Sequence, residues 1–446
     1  MVLVLVLVFV FVSVLIHFSL LTTNFSLFQC KDSVFVDNFC PIFRKNSQIN
    51  CNFVVSDTNR SRQMIDFQQL IAQTTLVEWI LLALLLVVFC AQLFIYAYYY
   101  MGVVRHNRPK TAESRHQPPV SVVICARDET ENLEQFLPLI LEQDYPNYEV
   151  IVVNDGASEE TEMLLAQLEL TYQHLRHTYT PEQTDVVSRK KLGLTIGIKA
   201  AQNEILLFTD ADCRPVSLQW IAEMVAPFDD GTEFVLGYGG YIPQNTLLSR
   251  LISYDTLTIA MQYLGFAYRG KPYMGVGRNL AYRRSSFFAH KGFAGMLHIA
   301  SGDDDLLVNK LANGANTRIV TTAQSSTQSI PKTSFVRWCQ QKSRHLTAAP
   351  FYSSQSRRMV GAEPATRGLF YALVVAICCL SGWFVVGCAI GLYLLRLIFQ
   401  EIIINKTATQ LGERHFYLTI PIFDIFLPLI TLFLLIFGRK KSVKWK

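Results

Sequence analysis

The sequence predicts a mostly parallel α/β domain, with helices on both faces of its sheet, flanked by transmembrane α-helices. Three observations carry this. Apolar stretches near the ends of the 446-residue chain reach the ~20 residues that a bilayer-crossing helix needs. Between them, residues 117–350 alternate short apolar runs with helical patterns, the mark of a parallel sheet covered on both faces. The composition is 51% hydrophobic and 17% charged, whereas a soluble domain carries about a quarter charged residues. A net charge of +5 is too small to argue for nucleic acid. With 23 Gly, 16 Pro and 10 Cys, collagen-like, disordered and small disulfide-scaffold classes are excluded.

Taken in order, residues 1–21 form an apolar run broken only by Ser13, His17 and Ser19. Without a basic start or a small-residue cleavage site, they read as a retained helix, with a cleaved signal or a mistaken start as alternatives. Residues 22–75 then form an extracytoplasmic loop, whose Cys30, Cys40 and Cys51 leave at least one thiol unpaired. A second span covers 76–104, a third 368–399 and a fourth 416–438, followed by a basic tail at 439–446. Arg105, Arg108, Lys110 and Arg115 follow the second span, and Arg344, Arg357, Arg358 and Arg367 precede the third. These flanks place the middle domain in the cytoplasm, and two intervening spans place the tail on the same side. Asp424 lies inside the fourth span, either as a functional group or paired with a neighbouring helix.

Within 117–350, Val120–Ala126 reads as a buried strand, followed by a helix carrying Leu133, Phe136, Leu137, Ile140 and Leu141. A strand at 149–154, a helix from Thr161 and a weak strand near 174–178 come next. A helix from Lys191 to Ala201 then leads to a strand at 204–209. Ligands of such sheets bind beyond the carboxyl ends of the strands. Those ends read Arg127-Asp128-Glu129, Asn154-Asp155-Gly156 and Asp210-Ala211-Asp212, with Lys190 and Lys191 just ahead of the helix feeding the last. Acidic groups gathered on one edge repel unless a cation offsets them. A hard divalent metal uses one or two carboxylates plus substrate diphosphate oxygens.

A second acidic cluster, Asp303-Asp304-Asp305, opens a helical run to Leu311. It serves either as capping or as a general base whose proton affinity is raised by crowding. Gly275-Val276-Gly277-Arg278-Asn279 combines close-approach glycines with an Asn on a predicted strand. A helix from Phe335 to His345 carries Trp338, Gln341 and Arg344, and it also suits the membrane interface. Residues 247–270 are apolar enough to face lipid or an acceptor chain, and equally suit the core. The cysteines show no metal-ligand spacing and read as small buried hydrophobes.

In this order the motifs resemble the family-2 glycosyltransferases, membrane-bound inverting enzymes with a Rossmann-like GT-A domain, over about residues 117–350. The resemblance implies donor binding by Ala126, Arg127, Glu129, Asp155, Lys190 and Asp210, and metal binding by Asp210 and Asp212. Asp303-Asp304 falls where the family has Glu-Asp, so Asp304 inherits the role of base beside Asp303. Gln341, Arg344 and His345 match Gln-x-x-Arg-Trp, with His345 at the Trp position, and Asn279 and Trp338 join them on the acceptor and diphosphate side. The implied reaction moves a sugar from a nucleotide-sugar donor to a lipid-linked or saccharide acceptor with Mn2+ or Mg2+, one sugar at a time. It belongs to polysaccharide biosynthesis of the cell envelope, at a bacterial inner or plasma membrane, with lipid contact, no nucleic acid and no protein partner specified. A polyprenyl-phosphate sugar synthase and a catalytically inactive glycan-binding scaffold are the alternatives.

Overall fold

A computed structural model describes residues 73–106, 117–156, 158–181, 188–299 and 301–437. The expected first helix at 1–21, most of the 22–75 loop and the tail at 439–446 lie outside them. The chain divides into two compact units, Met1–Cys90 with Phe370–Tyr393, and Ala91–Leu369 with Leu394–Lys446.

The elements run α1 (Leu76–Arg105), β1 (Val120–Ala126), α2 (Thr130–Leu141), β2 (Tyr148–Asn154), α3 (Glu159–Thr171), β3 (Leu175–Tyr179), α4 (Arg189–Ala200) and β4 (Ile205–Asp210). There follow β5 (Cys213–Pro215), α5 (Trp220–Val225), β6 (Phe234–Leu236), β7 (Gly239–Tyr241), α6 (Leu247–Tyr268), β8 (Leu280–Arg283) and α7 (Arg284–Ala289). The last are α8 (Asp305–Leu311), β9 (Thr317–Ile319), β10 (Thr327–Ser329), α9 (Phe335–Leu346), α10 (Ser354–Leu380), α11 (Trp383–Leu411) and α12 (Ile420–Phe437).

The second unit is built on a seven-stranded sheet of order β3-β2-β1-β4-β8-β6-β9. Only β8 runs against its neighbours, β4 and β6. Val, Ile and Leu fill β1, β2 and β4 because both faces are covered, and every residue of β1 is buried. Their register sets Ala126 opposite Asn154 and Cys125 opposite Asp210. The polar residues after these strands therefore share one sheet edge. Helix α4 reaches that edge because two glycines let it press on the sheet. A Cβ at Gly193 would stand 2.5 Å from Cys125 Sγ, and one at Gly197 would stand 2.6 Å from Val123 Cγ1.

Residues 247–270, open between lipid and core in the sequence, are mostly core, with Leu247 and Ile259 exposed. Tyr254, Leu257, Met261, Tyr263 and Leu264 of α6 are each at most 1% exposed. Helix α6 lies on a π-helical turn of α1 at Ile95–Tyr100. A Cβ at Gly265 would come within 2.5 Å of the Tyr99 carbonyl oxygen. The wider π turn frees main-chain carbonyls, and Arg269 Nε donates to that of Tyr98 at 2.9 Å.

Among the described residues, four helices are long and apolar enough to cross a membrane, Leu76–Arg105, Ser354–Leu380, Trp383–Leu411 and Tyr417–Phe437. This corrects the expected single span at 368–399. The helix breaks at Ser381-Gly382, where the Gly382 N–H donates to the Glu78 carboxylate at 2.7 Å. Among the described residues, three candidate spans, not two, follow the sheet domain, so the parity that put domain and tail on one side loses its premise.

Asp424, wholly buried in α12, pairs with neighbouring helices. It accepts from Arg396 of α11 at 2.7 Å, Arg367 of α10 at 3.2 Å and Gln400 at 3.1 Å. Arg396 also donates to Gln92 of α1 at 3.2 Å. Removing one partner of such a set leaves buried charge uncompensated. Asp424→Ala should therefore cost about 3–5 kcal/mol of stability, read as a lowered thermal midpoint in detergent.

Candidate active site

Lys190 is the hinge of the site. It lies in the first turn of α4, and its Nζ stands 2.9 Å from Asp210 Oδ1 at the end of β4 and 3.1 Å from Asp303 Oδ2. One ammonium thus joins the two acidic clusters. Burial raises the Asp303 carboxyl, but the Lys190 charge and hydrogen bond, a main-chain hydrogen bond and the Lys191 charge together hold it below the usual range. Asp304 is the opposite case: burial, then the Asp303 charge beside it, push its pKa up to about 6. Its Oδ2 accepts the Gly277 N–H at 2.5 Å and its Oδ1 accepts the Asp305 N–H at 2.8 Å. Gly277 is the close approach expected of that segment, since a Cβ there would sit 3.3 Å from Asp304 Oδ2.

The three consecutive acids divide by direction. Asp303 and Asp304 line a cavity with Lys190, Asp210, Cys125 and Gly277. Asp305 instead accepts from the Tyr352 hydroxyl at 2.7 Å and is buried.

Asp210, Asp212 and Cys213 offer ligand atoms within 4.8 Å of one another. Burial and the Asp210 charge raise the proton affinity of Asp212, so these carboxylates repel in the way a cation would relieve. Burial also pushes the Cys213 thiol well up, leaving it protonated and a poor partner for a hard ion. The donors present are thus carboxylate oxygens, which fit Mg2+ or Mn2+. Arg278, which sequence reasoning passed over, adds its charge beside both carboxylates and lies 4.6 Å over the Tyr241 ring.

At the other strand tips, the Asp155 side chain is fully enclosed. Arg189, also missed from sequence, holds it from 2.8 Å, and the Thr180 hydroxyl donates to it. The Ala126 carbonyl accepts the Asp155 N–H at 2.7 Å. Arg127 stands 3.9 Å from Asp128, whose φ of +53° turns the chain sharply after β1. Burial raises the Glu129 carboxyl, which also feels Asp212 and Asp210. No local sequence signal marks Arg189 or Arg278, because their acidic partners come from other elements.

Two expected acceptor-side residues are corrected. Asn279 is wholly buried; its Oδ1 accepts from Trp220 Nε1 at 3.0 Å, and its Nδ2 donates to the carbonyls of Tyr238 and Ser325. Its hydrogen-bonding groups are all engaged inside the protein. Trp338 is 3% exposed and packs against Phe335 and beneath Lys342, which is paired with Asp255 at 2.6 Å. On the same helix, Gln341 reaches the Tyr241 hydroxyl, its Oε1 has no hydrogen-bond partner among the described residues, and His345 is exposed.

The second unit thus has a mostly parallel sheet with acids and a lysine gathered at its strand ends. The Glycosyl transferase family 2 profile matches residues 121–289, the stretch that holds strands β1 to β8 and the acids at the β4 tip. Glycosyltransferase AglE of Haloferax volcanii is 32% identical over 111 residues, covering 24% of this chain and 35% of that one. A poly-beta-1,6-N-acetyl-D-glucosamine synthase of Staphylococcus epidermidis is 27% identical over 117 residues, covering 26% and 27%. The chain thus spans about a third of the length of these relatives. The mannosyltransferase PcManGT of Pyrobaculum calidifontis, solved with GDP-Man and Mn2+, aligns over 74% of this chain and 99% of that one at 18% identity and a TM-score of 0.49.

Proposed function

We propose that this domain moves a sugar from a nucleotide-sugar to the hydroxyl of a lipid-linked or saccharide acceptor, with inversion and with Asp304 as the base. One observation carries the reading: Asp304 shares a cavity with the Lys190–Asp210 pair and has a proton affinity raised toward neutrality. A base works best when its pKa lies near the operating pH.

Ala126, Arg127 and Glu129 lie on the nucleoside side, where the enclosed Asp155–Arg189 pair braces the donor-binding strand ends, and Lys190 neutralises the diphosphate. Asp210 and Asp212 would hold a divalent ion, Mn2+ or Mg2+, which would supply Lewis-acid stabilisation of a departing diphosphate when bound. The Gly277 N–H holds Asp304 in place. As the acceptor oxygen forms its bond to the anomeric carbon, its proton passes to Asp304, and the bond from that carbon to the diphosphate breaks on the opposite side. The leaving charge stays on the diphosphate, beside Lys190, with Gln341 and Arg344 on the acceptor side. The candidate spans suit an acceptor delivered at a bilayer, and the basic residues Arg105, Arg344, Arg357 and Arg358 favour a cytoplasmic domain.

Asp304 must be unprotonated to act, so the pH dependence has a definite sign. Turnover should rise with pH through about 6 and level off above it, falling about tenfold per pH unit on the acid side. A profile of kcat against pH at saturating donor checks this; a rate flat down to pH 4.5 contradicts it. The reading as a whole is tested by screening nucleotide-sugars for transfer, or for slow hydrolysis, with manganese present.

A further inference from the structure

Lys191 has no part in the chemistry above, yet its side chain is wholly buried. Its Nζ donates to three main-chain carbonyls of one loop: Met296 at 2.9 Å, Ile299 at 2.7 Å and Ser301 at 2.8 Å. An ammonium has three N–H donors, so this one spends them all on that loop. Burying a cation is costly unless its hydrogen bonds are met in full, and here they are met by carbonyls alone. Three carbonyl oxygens repel one another, and they converge on one point only because a positive charge draws them there. No neutral side chain of similar size has three donors on a single atom.

The loop leads straight to the base. After Ser301 comes Gly302, whose φ of +84° turns the chain into Asp303 and Asp304. Neighbouring residues of one helical turn point in different directions. Lys190 therefore reaches the sheet-edge cavity while Lys191 reaches the loop behind the acids. One turn of α4 sets both the cation on the diphosphate side and the path of the chain carrying the base.

We infer that Lys191 is a positioning residue: it ties the carbonyls of Met296, Ile299 and Ser301 to α4, so that Asp303 stays against Lys190 and Asp304 against the Gly277 N–H. The inference rests on the reading of Asp304 as base. Misplacing a reacting group by about 1 Å can cost about 100-fold in rate, while a donor held by other residues binds as before.

The test compares Lys191→Met and Lys191→Arg with wild-type full-length protein. Lys191→Met should lower kcat about 100-fold with the donor KM within about twofold. Hydrogen exchange over residues 293–302 should speed up, measured without substrate. Lys191→Arg keeps the charge and should recover part of the rate, but not all, since a planar guanidinium cannot aim three donors from one atom. An unchanged kcat in Lys191→Met overturns the inference, as does a donor KM that rises as much as kcat falls, or unchanged exchange in the loop. Should Lys191→Met fail to fold, a Lys191→Arg enzyme with wild-type kcat and exchange overturns it equally. A wild-type protein that transfers no sugar while the Lys191→Met loop exchanges faster would count against the proposed reaction and not against the lysine's hold on the loop.

Discussion

Asp304→Asn is expected to lower sugar transfer by about 10²–10⁴-fold, with nucleotide-sugar affinity nearly unchanged. The substitution is close to isosteric. An Asn oxygen can still accept the Gly277 N–H that now meets Asp304 at 2.5 Å, at the loss of the local bond from the Asp305 N–H, which an amide nitrogen cannot accept. What is lost is the capacity to take a proton from the acceptor hydroxyl at the moment of attack. The neighbouring acids do not replace it: Asp303 is bound to Lys190 at 3.1 Å, which keeps it ionised but occupied, and Asp305 is turned to Tyr352. Steady-state kcat with calorimetric donor affinity separates the effects. Ordinary turnover in this variant removes the base assignment.

Asp212→Ala is expected to abolish the metal-dependent part of donor binding. Loss even of groups that only support a metal ligand costs about 10–100-fold in metal affinity, and loss of a ligand should cost at least that. The reason lies in the charge balance of the β4 tip. Asp210 is already engaged by Lys190 at 2.9 Å, and Asp212 has its proton affinity raised by burial and by Asp210. Without Asp212, one shared carboxylate remains for the ion. Donor titrations with and without manganese read the effect; equal manganese-dependent affinity in variant and wild type contradicts it. Removing one of two repelling acids should also leave the metal-free protein at least as stable as wild type, so lost binding would not reflect lost fold.

Much of this was legible in the sequence, for physical reasons. Strands β1, β2 and β4 are covered on both faces, so they read as unbroken apolar runs, and the register of parallel strands dictates that their polar ends meet. Lys190, Asp210, Asp212, Asp303 and Asp304 sit at those ends or at helix starts, where local pattern exposes them. Arg189 and Arg278 were not visible, because each finds its acidic partners on elements far away in sequence. Asn279 looked like a ligand contact beside flexible glycines, but a polar side chain at such a turn serves equally as a buried hub for Trp220, Tyr238 and Ser325. Trp338 failed in the same way: an aromatic on an amphipathic helix can face either side, and here it faces the core. The helix break at Ser381-Gly382 was hidden because hydropathy averages over a charge-free stretch, and two small residues barely change that average.

The most direct test is an anomalous difference map at the manganese edge, from crystals of the protein grown with Mn2+ and a nucleoside diphosphate. The account predicts a single strong peak touching the carboxylates of Asp210 and Asp212, with the diphosphate within reach of Lys190 and the Asp304 carboxylate across the cavity. A peak elsewhere, or a nucleotide bound with those two carboxylates turned away from it, would contradict it.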